Sequence, residues 1–120
     1  MARVLVVEDD KDCQSMLCKV ISRSGADAVG FEFLSGDFKE RLVAELEKNN
    51  YTLLVCDGLE GLWEDVHKLT MTRVRGFLLY SGNKDQVNRA REQGIEAYVK
   101  DVSPSAFVAY VLARCQELET

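Results

Sequence analysis

The chain has 120 residues, 47% of them hydrophobic and 29% charged, which is the balance of an ordinary folded globule rather than a disordered segment. Its net charge of −5, from 15 basic and 20 acidic residues, works against a direct grip on nucleic acid, whose phosphate backbone demands a basic face. No stretch approaches the roughly 20 apolar residues of a membrane span and the N-terminus carries no signal-peptide pattern, so a cytoplasmic protein is expected.

Short β-type runs alternate with helical periodicity, the pattern of βαβ units around a parallel sheet. The first strand, Arg3-Val4-Leu5-Val6-Val7, runs into Glu8, Asp9 and Asp10. Cys13, Met16, Leu17, Val20 and Ile21 then recur at helical spacing, and Gly25 supplies a stop. A second strand over 26–33 runs out in Leu34 and Ser35, with no side chain suited to catalysis. The next helix uses Phe38, Leu42 and Leu46, and Asn49-Asn50 closes it. The third strand, 51–56, ends at Asp57, and a loop with Gly58 and Gly61 precedes a helix over 62–69. The fourth strand, 76–80, runs into Ser81 and is followed by a helix over 84–93 that stops at Gly94. Ala97-Tyr98-Val99 runs into Lys100. Ser103 then reads as an N-cap with Pro104 at the first helical position, and Phe107, Val108, Val111 and Leu112 form the last apolar face. The expected fold is α/β: a (βα)5, doubly wound, five-stranded parallel sheet in one domain over residues 1–120.

Parallel strands all end at one edge, where open α/β sheets hold their ligands. Glu8, Asp9, Asp57, Ser81 and Lys100 would therefore converge, although they span most of the chain. Adjacent carboxylates repel unless a cation neutralises them, and Mg²⁺ takes one or two carboxylates together with water and phosphate oxygens. Asp57 is the candidate nucleophile, because a carboxylate can accept a phosphoryl group as an aspartyl phosphate. Lys100 would hold one phosphoryl oxygen and Ser81 would donate to another, with Gly82 removing a side chain that would block close approach. Read alone, residues 8–10 could simply cap the first helix.

Cys13, Cys18, Cys56 and Cys115 form no CxxC pair and read as free thiols rather than a disulfide or zinc site. His67, the one histidine, falls on the third helix and reads as a surface residue. A flavin site lacks its Ser/Thr/Gly-rich phosphate loop, and a dinucleotide site lacks GxGxxG.

The stretches VLVVEDD, LLVCDG, LLYSG and GIEAYVK, in this order and strand context, resemble the receiver domain of two-component response regulators over the whole length. The resemblance implies a flavodoxin-like receiver architecture with Asp57 as phospho-acceptor. It makes Glu8 and Asp9 the acidic pair for Mg²⁺ (or Mn²⁺), joined by Asp57 and the backbone carbonyl of Leu59. Ser81 becomes the switch hydroxyl and Lys100 the phosphate-contacting lysine. It further implies a sensor histidine kinase or histidine phosphotransfer protein as donor, a downstream effector as target, and self-catalysed phosphorylation rather than turnover. No output domain follows Thr120, so a stand-alone receiver or a piece of a longer protein is expected.

Three departures from that family stand out. Receivers usually carry Met-Pro or Leu-Pro a few residues after the acceptor, whereas this loop reads Gly58-Leu59-Glu60-Gly61, and its glycines suggest greater mobility. Proline usually follows the lysine, often through a cis bond; here Asp101 follows, and a cis bond costing about 3 kcal/mol predicts trans. The family's aromatic switch stands three residues before the lysine, whereas Tyr98 stands two before Lys100, which in a regular strand turns the ring to the other face. Tyr98 is thus either a switch residue or strand packing. Two other functions remain open: a degenerate receiver that binds partners without phosphorylation, and a small Mg²⁺-dependent phosphatase with an aspartyl nucleophile. The phosphatase reading is suggested by Asp10-Lys11-Asp12.

Overall fold

The computed structural model describes residues 2–33, 36–101 and 103–119. Its elements in chain order are β1 (Arg3–Glu8), α1 (Lys11–Arg23), β2 (Asp27–Glu32), α2 (Phe38–Lys48), β3 (Leu53–Cys56), a 3₁₀ turn (Leu59–Gly61), α3 (Trp63–Thr70), β4 (Gly76–Ser81), α4 (Lys84–Glu92), β5 (Glu96–Val99) and α5 (Pro104–Glu119). The strands form one parallel sheet in the order β2-β1-β3-β4-β5, the (βα)5 arrangement expected from the alternating pattern. Leu34 and Ser35, where β2 is expected to run out, lie outside the described residues, as does Thr120.

The central strands are apolar on both faces because helices cover both. Leu5, Val7, Leu54, Cys56, Leu79 and Ala97 meet α2, α3 and α4 through Phe38, Leu42, Trp63, Val66 and Val87. Val4, Val6, Leu53, Val55, Leu78 and Tyr80 meet α1 and α5 through Leu17, Ile21, Phe107 and Val111. Side-chain alternation thus assigns each strand residue to a helical layer.

The caps follow the residue chemistry. Asp10 accepts the amides of Asp12 (2.9 Å) and Cys13 (3.1 Å) at the start of α1. Ser103 accepts the Ala106 amide at 3.3 Å ahead of Pro104, as its sequence context suggests. The third strand starts later than its apolar run, at Leu53. Tyr51 instead buries its ring beside Arg3 and donates its hydroxyl to Glu45 at 2.6 Å.

Gly76 opens β4 against the end of α5. A Cβ there would lie 2.6 Å from Leu118 Cδ1 and 3.0 Å from Leu53 Cδ1. Gly76→Val is therefore expected to destabilise the fold by about 1–3 kcal/mol, read as a lower urea midpoint at unchanged m-value. An unchanged midpoint would mean that Leu118 yields without cost.

Candidate functional site

Register brings the strand ends together. Val7 pairs with Cys56, and the Asp57 amide donates to the Val7 carbonyl at 2.9 Å, so Glu8 and Asp57 leave adjacent strands side by side. On the other flank Ser81 pairs with Val99, and the Lys100 amide donates to the Ser81 carbonyl at 2.9 Å. The Lys100 ammonium reaches back across the edge to Glu8 Oε2 and Asp57 Oδ1, each at 2.8 Å. Glu8, Asp9 and Asp57 each present an oxygen within 4.8 Å of the others.

This arrangement carries an electrostatic imbalance. Burial pushes the Glu8 carboxyl above its usual range, Lys100 opposes the rise, and Asp57 adds to it. Burial also works to lower the Lys100 pKa, but Asp57 and Glu8 outweigh it and hold the ammonium above the ordinary lysine value. Three carboxylates against one ammonium leave a deficit of two positive charges, which a divalent cation matches. The oxygen-only donor set also suits Mg²⁺, whose octahedral ligands lie about 3–4 Å apart. The residues present fit the ion.

The remaining candidates divide clearly. Ser81 is buried at the edge of the cluster, and its hydroxyl is bonded to Gln86 on α4. Gly82 is exposed with open space where a side chain would stand. Leu59 is in the left-handed region (φ 51°), as is Glu60 (φ 55°). Its amide donates to Asp57 Oδ2 at 3.3 Å, and its carbonyl accepts the Leu62 amide at 3.0 Å. Gly61, at φ 97°, completes a turn that only glycine adopts freely. The loop forms a hydrogen-bonded turn in which Leu59 and Trp63 are buried.

Tyr98 does not join the cluster. Strand β5 is regular, so Ala97 and Val99 take the face shared with α4, while Tyr98 turns to α5. Its ring stacks on Tyr110 at 4.6 Å and meets Phe107 edge-on at 5.9 Å, and its hydroxyl donates to Glu96 at 2.5 Å. The period-2 shift read from its spacing is the physical reason why Tyr98 packs on the α5 side. The Lys100–Asp101 bond is trans, since no cis peptide occurs among the described residues. Asp10 caps α1 and lies outside the Glu8–Asp9–Asp57 carboxylate group.

His67 is a half-buried residue of the surface, as expected. It packs edge-on to Phe77 at 4.9 Å, at the opposite end of β4 from Ser81, and burial lowers its pKa. The cysteines are free; Cys56 and Cys115 are buried, and burial with the nearby Glu8 charge pushes Cys13 up to about 11. No described helix is long and apolar enough to cross a membrane.

Two glutamines were not singled out from the sequence. Gln14 donates to the carbonyls of Glu8 (3.2 Å) and Phe31 (2.7 Å), tying the ends of β1 and β2 over the notch left by Gly30. Gln86 fills a similar notch over Gly58. Glycine at a strand or strand end facing a helical glutamine is the signal that could have found both.

No protein-family model and no curated protein matches the sequence. Solved structures match over nearly all of it. The receiver domain of the Francisella response regulator 1452 superposes with a TM-score of 0.75 at 16% identity, covering 98% of both chains. The chain has the fold of response-regulator receivers. An orphan response regulator of H. pylori shares this receiver fold at a TM-score of 0.72 and 24% identity, covering 95% of this chain and 96% of that one. An atypical orphan response regulator, described as having a phosphorylation-independent regulatory mechanism, matches at a TM-score of 0.72 and 24% identity over 95% of both chains.

Proposed function

We propose that this receiver fold is a phospho-acceptor signalling module that takes a phosphoryl group onto Asp57 from a phosphohistidine on a kinase or transfer protein. The observation that carries this reading is the double contact of Lys100 with Glu8 and Asp57 at 2.8 Å, next to Asp9. An ammonium already aligned on the acceptor carboxylate can pass to a phosphoryl oxygen as the Asp57 oxygen forms its bond to phosphorus. The P–N bond of the donor breaks in the same displacement, and the electron pair leaves with the imidazole. Glu8, Asp9 and Asp57 would hold Mg²⁺, with the Leu59 carbonyl as a further oxygen donor; when bound, the ion offsets charge on the phosphoryl oxygens. Ser81 and the open approach past Gly82 would serve the remaining oxygens. Such a module relays a modification to an effector and does not turn substrate over.

The test uses acetyl phosphate with Mg²⁺, read by intact-protein mass. A phosphoryl adduct is expected in the wild type, with none in Asp57→Asn or after chelation of the metal. An adduct persisting in Asp57→Asn would overturn the assignment of the acceptor. A second reading, a module that binds its partner without phosphorylation, is favoured by the left-handed 59–60 turn and by the atypical regulator that matches at 24% identity. Absence of Mg²⁺ and beryllofluoride binding would select it.

A further inference from the structure

The Ser81 hydroxyl is committed before any phosphoryl group arrives. Ser81 is 2% exposed, and its hydroxyl donates to Gln86 Oε1 at 3.0 Å and accepts the Asn83 amide at 3.1 Å. Gln86 stands in the first turn of α4, which Asn83 caps by accepting the amides of Asp85 (2.9 Å) and Gln86 (3.2 Å). From there its amide reaches over Gly58, the residue directly after Asp57. A Cβ at position 58 would stand 2.7 Å from Ser81 Oγ and would overlap Gln86 Oε1. Gly58 itself has φ −63° and ψ −30°, which any residue adopts, so its backbone does not call for glycine. Glycine is there for space, and the Gln86 amide fills that space.

We propose that Gln86 is a positioning residue for the Asp57 site: it holds the Ser81 hydroxyl proton in reserve and releases it when a phosphoryl oxygen on Asp57 claims it. This rests on the phospho-acceptor reading above. A serine hydroxyl has a single proton to donate, so the bond to Gln86 and a bond to the phosphoryl group exclude each other. Phosphorylation therefore costs the Gln86 contact, and the residue set free belongs to the first turn of α4. The state of Asp57 is thereby transmitted to that turn through one hydrogen bond.

The test is a beryllofluoride titration with Mg²⁺, followed by Trp63 fluorescence, on the wild type, Gln86→Met, Ser81→Ala and the double variant. Methionine keeps the length of the side chain and removes the acceptor. Gln86→Met is expected to bind beryllofluoride about two- to tenfold tighter, because no bond must first be broken. In the Ser81→Ala background the same substitution should have no effect. Amide exchange at residues 84–87 should be faster in ion-free Gln86→Met than in the wild type, and beryllofluoride should accelerate it only in the wild type. Unchanged or weaker binding by Gln86→Met, or an equal effect in both backgrounds, reduces Gln86 to packing and overturns the inference. A wild type that binds no beryllofluoride instead sinks the phospho-acceptor reading, and this inference with it.

Discussion

Phe107→Ala is expected to lower the stability of the fold by about 3–5 kcal/mol, the cost of emptying a buried aromatic site. Phe107 is fully buried, lies flat on Tyr80 with ring centroids 3.8 Å apart, and meets Tyr98 edge-on. It touches two strands at once, because Tyr80 belongs to β4 and Tyr98 to β5. Tyr98 cannot collapse into the void easily, because it is held by its stack on Tyr110 and its bond to Glu96. Urea denaturation followed by far-UV circular dichroism measures the loss. A value below about 1 kcal/mol would contradict the packing described for the α5 face.

Lys100→Met is expected to cost about 2–3 kcal/mol in the presence of a chelator, below the range for a fully buried pair because the site is partly solvated. The lysine side chain is 27% exposed and that of Asp57 15%, but Glu8 is only 3% exposed and loses its one cationic partner among the described residues. The sign with pH follows from Glu8. Its folded pKa is raised above the ordinary 4.5, chiefly by burial, and removal of Lys100 raises it further. A raised carboxyl contributes stability below its unfolded pKa and loses it as pH climbs through the folded value. The gap between variant and wild type should therefore be small near pH 4 and widen toward neutrality. Saturating Mg²⁺ should close much of it, and Glu8→Gln added to Lys100→Met should recover stability. A gap that is independent of both pH and Mg²⁺ would show that the lysine acts through packing alone.

The sheet and its helical layers were legible because each strand is a short apolar run bounded by turn residues, and each helix repeats its apolar positions at three and four. Glu8, Asp57, Ser81 and Lys100 were legible for the same reason: each ends such a run, and parallel strands end together. The side on which Tyr98 lies followed from counting by twos back from Lys100. What stayed hidden depends on space rather than pattern. Gly58 reads as a loop residue until Gln86 is seen over it, and Gln86 itself is a polar residue on a mostly polar helix. Asp10 looks like its acidic neighbours, and only the direction of its side chain separates a helix cap from the cluster. At 59 and 60 the left-handed turn had no sequence signal, since leucine and glutamate are poor choices for that conformation; only Gly61 hinted at it.

That turn carries a consequence for engineering. Ordinary receivers place a proline shortly after the acceptor, and its ring locks φ near −65°. Positions 59, 60 and 61 stand at 51°, 55° and 97°, so a proline grafted at any of them would meet a backbone of the wrong hand. A chimera that brings the proline to 59, 60 or 61 would therefore have to bring the backbone of that loop with it.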